Sequence, residues 1–134
     1  MNRMPDKKAT SILIVDDEPS ILYLLEEQIS CCGYNTMAAP HAEAAFQLAE
    51  KQAKIDVLIT DIVMPGMNGI DLAKEITTLH PDIRIVFMSG QFDDALFKKN
   101  FPGRDYEFMA KPFGLDILMD KIKDLLSAPD APQQ

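Results

Sequence analysis

Five short apolar segments alternate with segments of helical periodicity along almost the whole chain. The first and third apolar segments are almost wholly apolar, which is typical of parallel strands covered on both faces. Because parallel strands joined by helices form layered structures with right-handed connections, this alternation predicts a three-layer α/β sandwich. The predicted strands are Ser11–Val15, Tyr34–Ala39, Ile55–Thr60, Ile83–Met88 and Tyr106–Ala110.

A helix is predicted after each strand. Pro19 suits the first turn of the first helix, and Gly33 is placed to end that helix in the left-handed conformation. The later helices are predicted at about His41–Lys51, Gly69–Leu79, Asp93–Asn100 and Leu115–Leu126.

Length and charge limit the organisation and the partners. The 134 residues have the size of one domain. We expect it at residues 10–127, between a flexible N-terminus at 1–9 and a tail or truncated linker at 128–134. The net charge of −8 argues against nucleic acid and anionic membranes as partners.

With no signal peptide and no membrane-length apolar run, we expect a cytoplasmic protein. The adjacent Cys31 and Cys32 are predicted to be unbridged, buried or half-buried thiols.

Polar residues follow four of the predicted strands. Asp16 and Asp17 follow the first strand, Asp61 the third, Ser89 the fourth and Lys111 the fifth. Each residue alone is ordinary at the end of a strand. The carboxyl ends of parallel strands, however, meet at one edge of the sheet, where open α/β sheets bind ligands. The coincidence indicates a functional site.

The residue types narrow the chemistry of this site. Like charges about 4 Å apart repel by roughly 4 kcal/mol at an effective dielectric of 20, so adjacent acids need solvent, a lysine or a cation. Three carboxylates suit Mg²⁺. Zinc is less suited, because we expect neither His41 nor His80 at this edge.

A carboxylate can also accept a phosphoryl group. Asp61 is the only acid at the end of its strand, so it is the candidate acceptor, and Asp16 and Asp17 are better placed to hold the metal ion. Lys111 and Ser89 suit the oxygens of a phosphoryl group.

Four motifs carry a family resemblance: "ILIVDDEP", "LITDIVMPGMNG", "IVFMSG" and "FMAKPF", in this order. With them the sequence resembles a response-regulator receiver domain of two-component phosphorelay signalling over about residues 10–127. The resemblance implies a flavodoxin-like sandwich of five helices and a five-stranded parallel sheet in the order 2-1-3-4-5. It also implies a histidine kinase or a histidine phosphotransfer protein as the partner.

The resemblance assigns roles around the metal ion. Asp61 matches the phosphoacceptor, which is also a metal ligand. Asp17 matches the direct magnesium ligand, and Asp16 the residue that holds a metal-bound water. The backbone carbonyl of Val63 matches a further ligand.

The remaining roles concern the phosphoryl group and the response to it. Ser89 matches the residue that moves toward the phosphoryl group, and Lys111 matches the lysine before the cis proline, here Pro112. Phe108 matches an aromatic switch that turns inward on activation, although an aromatic on a strand is more often only part of the core. The surface expected to respond comprises Ser89, Phe108, the fourth helix, the fifth strand and the fifth helix.

The chain departs from the common receiver pattern in two places. Between Gly90 and Lys111 it reads "QFDDALFKKNFPGRDYEF", where many receivers have a longer alanine-rich helix and a Gly-Ala turn. Receivers commonly dimerise on phosphorylation through the face of the fourth helix, fifth strand and fifth helix. This departure changes that face, so a phosphorylation-dependent dimer of this chain need not use it. Val63 and Gln91 stand where some receivers place polar groups that align a hydrolytic water, so we expect slow self-dephosphorylation.

Three alternatives remain open to test. The nearest is a receiver-like interaction module that is not phosphorylated, which would not need the whole set of site residues. An enzyme of the haloacid-dehalogenase type has the pattern D-x-D at its nucleophile. Here the second Asp would be residue 63, which is Val. A flavin mononucleotide carrier would need a phosphate-binding loop where this chain has "DDEPS". We therefore expect a protein that promotes its own phosphorylation and is not an enzyme acting on a free substrate.

Overall fold

A computed structural model of the chain describes residues 10–89, 106–111 and 113–127. Its elements are β1 (Ser11–Val15), α1 (Pro19–Cys31), β2 (Asn35–Ala39), α2 (Ala42–Lys51), β3 (Val57–Asp61), α3 (Gly69–Leu79), β4 (Arg84–Ser89), β5 (Tyr106–Ala110) and α4 (Leu115–Ser127). The helix predicted near Asp93–Asn100, Gln91 and the predicted cis Pro112 lie outside the described residues. The helix labelled α4 is therefore the fifth of the predicted helices.

The five strands form one parallel sheet in the order β2-β1-β3-β4-β5. This confirms the predicted fold class and strand order. The register pairs Val15 with Thr60 and Asp61 with Met88. Asp16, one residue beyond the end of β1, is thereby brought level with the end of β3. The sheet order thus places the two carboxylates side by side.

The sheet separates two apolar cores. Alternate residues along a strand point to opposite faces, so Leu13 packs with α2 and α3, whereas Ile12 packs with α1 and α4. The first core includes Leu13, Leu58, Leu72, Ile76 and Phe87, and the second includes Ile12, Ile14, Leu25, Ile29 and Leu118, all fully buried. With helices on both faces, the molecule has the predicted three layers.

Local chemistry fixes the helix ends. The side chain of Asn68 accepts a hydrogen bond of 2.9 Å from the backbone N–H of Asp71 and so caps α3. Nδ1 of His41 accepts one of 3.1 Å from Ala44 and caps α2. Gly33, at φ 99°, follows α1 in the left-handed conformation, as predicted. No helix among residues 10–89, 106–111 and 113–127 is long and apolar enough to cross a membrane.

Two strands extend further toward the carboxyl edge than predicted. β3 ends at Asp61 and β4 at Ser89, because backbone pairing continues through these polar residues. Ile62 still donates its N–H to the carbonyl of Met88, at 3.0 Å. The ladder therefore holds the backbone of Asp61 in place up to the edge of the sheet.

The prediction that Cys31 and Cys32 are buried or half-buried is wrong, because both are free and exposed. The buried face of α1 carries Leu25 and Ile29. Cys31 lies two residues beyond Ile29, roughly 200° around the helix axis, and so faces away from the sheet. Cys32 is the residue after the helix.

Candidate functional site

Three carboxylates meet at the carboxyl end of the sheet. Asp16 and Asp17 follow β1, and Asp61 is the last residue of β3. One carboxylate oxygen from each lies within 4.8 Å of the others. Asp16 is fully buried, Asp61 is 7% exposed and Asp17 is exposed. The structure therefore brings together the three acids that the sequence singled out.

Lys111 lies between two of these acids. Its Nζ is 3.0 Å from Oδ2 of Asp16 and 3.0 Å from Oδ2 of Asp61. Its backbone N–H donates to the carbonyl of Ser89 at 2.8 Å, which fixes the start of the side chain at the end of β4. The ammonium therefore offsets part of the repulsion between the carboxylates.

Backbone amides orient the second oxygen of each paired acid. Oδ1 of Asp16 accepts a hydrogen bond of 2.9 Å from the N–H of Glu18. Oδ1 of Asp61 accepts one of 3.3 Å from the N–H of Val63. Each carboxylate thus has one oxygen on Lys111 and one on the loop that follows its own strand, which leaves little freedom of rotation.

Burial and pairing shift the pKa values of two groups in the site, Asp61 and Lys111. Burial raises the pKa of Asp61 above its usual value, and the ammonium of Lys111 offsets only part of that rise. Burial acts to lower the pKa of Lys111, but the hydrogen bonds to Asp16 and then to Asp61 outweigh it, so the pKa of Lys111 is raised. Lys111 therefore keeps its positive charge, while ionisation of Asp61 works against burial.

The other predicted site residues occupy separate places. Ser89 is buried at the end of β4, on the same edge as Asp61. Phe108 is half-buried on β5, opposite Phe87 in register, and packs against the core formed with α2 and α3. Val63 exposes 73% of its surface in the loop after Asp61. The roles of these residues, including that of the Val63 carbonyl, stay predictions.

Two residues that sequence reasoning did not assign to the site hold the backbone of Asp61. The hydroxyl of Thr60 donates a hydrogen bond of 2.9 Å to the carbonyl oxygen of Asp61. Gly69, the first residue of α3, packs so closely that a Cβ atom there would lie 2.1 Å from the same oxygen. A glycine at the start of a helix, directly after the capping Asn68, is the sequence signal that could have revealed this approach.

The donor set of the cluster fits a hard divalent cation. All the candidate ligands are carboxylate oxygens, and the group found among the described residues includes neither His nor Cys. With Lys111, the three acids carry a formal charge of −2, which one divalent cation balances. Oxygen ligands and a partly exposed site suit Mg²⁺, which keeps several of its waters.

Comparisons with known proteins identify the family of the chain. Residues 12–123 match the family described as the response regulator receiver domain. The sensor kinase CckA of Brucella abortus is 32% identical over 91% of this chain, although the chain spans 13% of that kinase. The response regulator receiver protein CpdR of the same organism is 32% identical over 87% of this chain and 97% of its own length.

A solved structure has the same architecture. The response regulator protein TrrA of Thermotoga maritima, solved in complex with Mg²⁺ and BeF, has a TM-score of 0.74 and 32% identity, and the match covers 87% of this chain and 98% of TrrA. The match to the family spans most of the chain, from β1 to α4. The chain therefore belongs to the response regulator receiver domain family and is a receiver domain of two-component signalling.

Proposed function

We propose that Asp61 accepts a phosphoryl group from a phosphohistidine on a histidine kinase or a histidine phosphotransfer protein. Receiver domains work with such partners in phosphorelays, which supports this assignment. The observation that carries it is the position of Asp61, whose carboxylate lies within 4.8 Å of those of Asp16 and Asp17 and 3.0 Å from the ammonium of Lys111.

The transfer exchanges one bond to phosphorus for another. A carboxylate oxygen of Asp61 forms the new P–O bond while the P–N bond of the phosphohistidine breaks. The electron pair of that bond passes to the imidazole, which then takes a proton. The ladder and Thr60 hold the backbone of Asp61, and Val63 and Lys111 hold its carboxylate in one orientation. Such positioning is the main contribution a protein makes to phosphoryl transfer.

Asp16, Asp17 and Asp61 would hold Mg²⁺, with the backbone carbonyl of Val63 as a further ligand. Mg²⁺ bound by these residues would supply positive charge for the oxygens of the phosphoryl group. Lys111 adds a second positive charge at the edge where that group arrives, and its raised pKa keeps it protonated. Ser89 is buried at the end of β4 on the same edge, and its hydroxyl would donate to a phosphoryl oxygen.

The phosphoryl group switches the neighbouring surface. Ser89 ends β4, and its carbonyl is hydrogen-bonded to the N–H of Lys111, so movement of Ser89 is transmitted to the end of β5. Phe108 lies on β5 three residues before Lys111 and is half-buried, so an inward turn would bury more of its ring. The result is a two-state switch of the face around β5 and α4.

Intact mass after incubation with acetyl phosphate tests the acceptor. With Mg²⁺ we expect one phosphoryl adduct on the wild-type chain, little without Mg²⁺, and none on Asp61→Asn. Asp71→Asn is the matched control, because this exposed acid in the first turn of α3 lies outside the cluster and its loss should leave the adduct unchanged. An adduct that persists in Asp61→Asn would place the acceptor elsewhere.

Calorimetric titration with Mg²⁺ separates this proposal from its nearest alternative. A receiver that is phosphorylated should bind Mg²⁺ and lose most of that binding in Asp17→Asn. If the wild-type chain binds no Mg²⁺ and forms no adduct, an unphosphorylated interaction module is the better description.

A further inference from the structure

A groove of about 660 Å³ lies outside the acidic site, between α2, α3 and the loop that joins β3 to α3. Its floor is apolar. Phe46 of α2 and Met67 of the loop are half-buried there and pack on the core beneath, while Pro65 is exposed beside them. An apolar floor that solvent reaches is a feature of surfaces that bind other molecules.

The rim of the groove is acidic. Glu43 and Glu50 of α2 and Glu75 of α3 are exposed around it, and no lysine or arginine of the described residues lines it. None of the three carboxylates forms an ion pair with another described residue, in contrast to Glu107, which pairs with Lys121. The rim therefore presents three negative charges that the described part of the chain does not neutralise.

We propose that this groove binds a basic amphipathic helix of a partner protein. Complementary charge excludes a second copy of this acidic chain as the favoured occupant, since its net charge is −8. Glu43 and Glu50 are seven residues apart on α2, which corresponds to roughly 10 Å, or two helical turns. The fitting helix therefore has cations at i and i+7 and apolar side chains at i+3 and i+4, facing Phe46 and Met67.

The proposal does not depend on phosphorylation of Asp61, because the groove residues are separate from the acidic cluster. Its partner surface also differs from the face around β5 and α4. It rests on three observations that agree: an apolar floor, an unpaired acidic rim, and a spacing of the carboxylates that a helix can match.

Fluorescence anisotropy tests the proposal with a short fluorescein-labelled peptide that has lysine at i and i+7 and leucine at i+3 and i+4. We expect it to bind the wild-type chain and a scrambled peptide of the same composition to bind more weakly. Glu43→Gln, Glu50→Gln and Glu75→Gln combined should weaken binding about tenfold, the sum of three exposed ion pairs. All three side chains are exposed, so the variant should fold normally.

The matched control changes Glu27, Asp120 and Asp124 to amides, which removes the same charge from α1 and α4 on the opposite face. Binding to this control should stay within about twofold of the wild type, since exposed charges beyond a Debye length are screened. A similar loss in both triple variants would reduce the effect to general attraction between a basic peptide and an acidic chain, and would overturn the proposal.

The apolar floor has its own pair of variants. Met67→Ser should weaken binding several-fold, whereas Met119→Ser, at a half-buried position on α4, should not. Amide chemical shifts caused by the peptide should concentrate at residues 42–51 and 62–68. Absence of binding, shifts centred elsewhere, or a dimer of this chain that the triple groove variant dissociates would each overturn the proposal.

Discussion

The ammonium of Lys111 lies 3.0 Å from Oδ2 of Asp61, a residue 50 positions earlier in the chain. The same ammonium lies 3.0 Å from Asp16, whose side chain is fully buried. One ammonium group thus forms ion pairs with two buried carboxylates, which would otherwise repel each other. The chain can therefore keep its acidic site assembled before any metal ion binds.

Loss of Lys111 should destabilise the metal-free protein. We expect Lys111→Met to lower the free energy of unfolding by about 2 kcal/mol in the presence of a chelator, because it leaves Asp16 and Asp61 without their counter-charge. Urea denaturation measures this. Lys121→Met is the control, since its ion pair with Glu107 is about one third exposed and should contribute less than about 1 kcal/mol. Equal losses in the two variants would contradict the structural role of Lys111.

The raised pKa of Asp61 makes the stability depend on pH. Because the folded-state pKa lies above the ordinary 3.8, ionisation of this group opposes folding at higher pH, and the opposition disappears as the pH falls through the folded-state pKa toward 3.8. In chelator at neutral pH, Asp61→Asn should therefore be more stable than the wild type, and this advantage should vanish in acid. Chemical denaturation at several pH values measures both trends.

Glu27→Gln provides the reference for that comparison, because it removes one negative charge from an exposed position within α1, outside the cluster. Subtracting its effect leaves the net contribution of burial and of pairing with Lys111 at Asp61. If Asp61→Asn were less stable than wild type at neutral pH, pairing with Lys111 would dominate over burial, against the direction of the pKa.

Gly69 should tolerate no side chain. A Cβ atom there would meet the carbonyl oxygen of Asp61 at 2.1 Å, so Gly69→Ala forces either the start of α3 or the backbone of Asp61 to move. We expect a loss of about 2 kcal/mol in unfolding free energy and a lower yield of the phosphoryl adduct. Gly114→Ala is the control, since its Cβ would meet only the tip of the Asp116 side chain. A normal adduct yield in Gly69→Ala would show that Asp61 is positioned without this contact.

Both thiols should react in the folded protein. Cys31 and Cys32 are exposed, so we expect two equivalents to be modified by a disulfide reagent at a rate that does not change when urea is added below the unfolding transition. Absorbance of the released thiolate measures this. Modification only after unfolding would contradict the exposure and return these residues to the buried state that the sequence suggested.

The sequence predicted most of the architecture, for reasons that differ between elements. The bounds of β1, α3 and β5 agree with prediction, because the pattern of apolar residues marks them clearly. β3 and β4 were predicted to end before their polar residues, whereas backbone pairing continues regardless of side-chain polarity. Strand order came from the family resemblance, since periodicity describes each element alone and contains no information on which strands are neighbours.

The sequence predicted which edge of the sheet carries the site, but it did not predict all the contacts between the site residues. The carboxyl ends of parallel strands meet at one edge, which was enough to gather Asp16, Asp17 and Asp61. That Lys111 pairs with Asp16 as well as Asp61 depends on the reach of a long side chain across β4, which spacing does not give. The close contact of Gly69 with the carbonyl of Asp61 depends on how two backbone segments pack. In the sequence it is indicated only by the glycine itself.

Because the sheet separates two apolar cores, the residues on its two faces can be substituted largely independently during evolution. Substitutions that repack α2 and α3 meet a different set of side chains from those that repack α1 and α4. Each face can therefore acquire its own partner without upsetting the packing of the other. At the carboxyl edge, loops that lead to helices on both faces converge near Asp61, so a change there affects both faces at once.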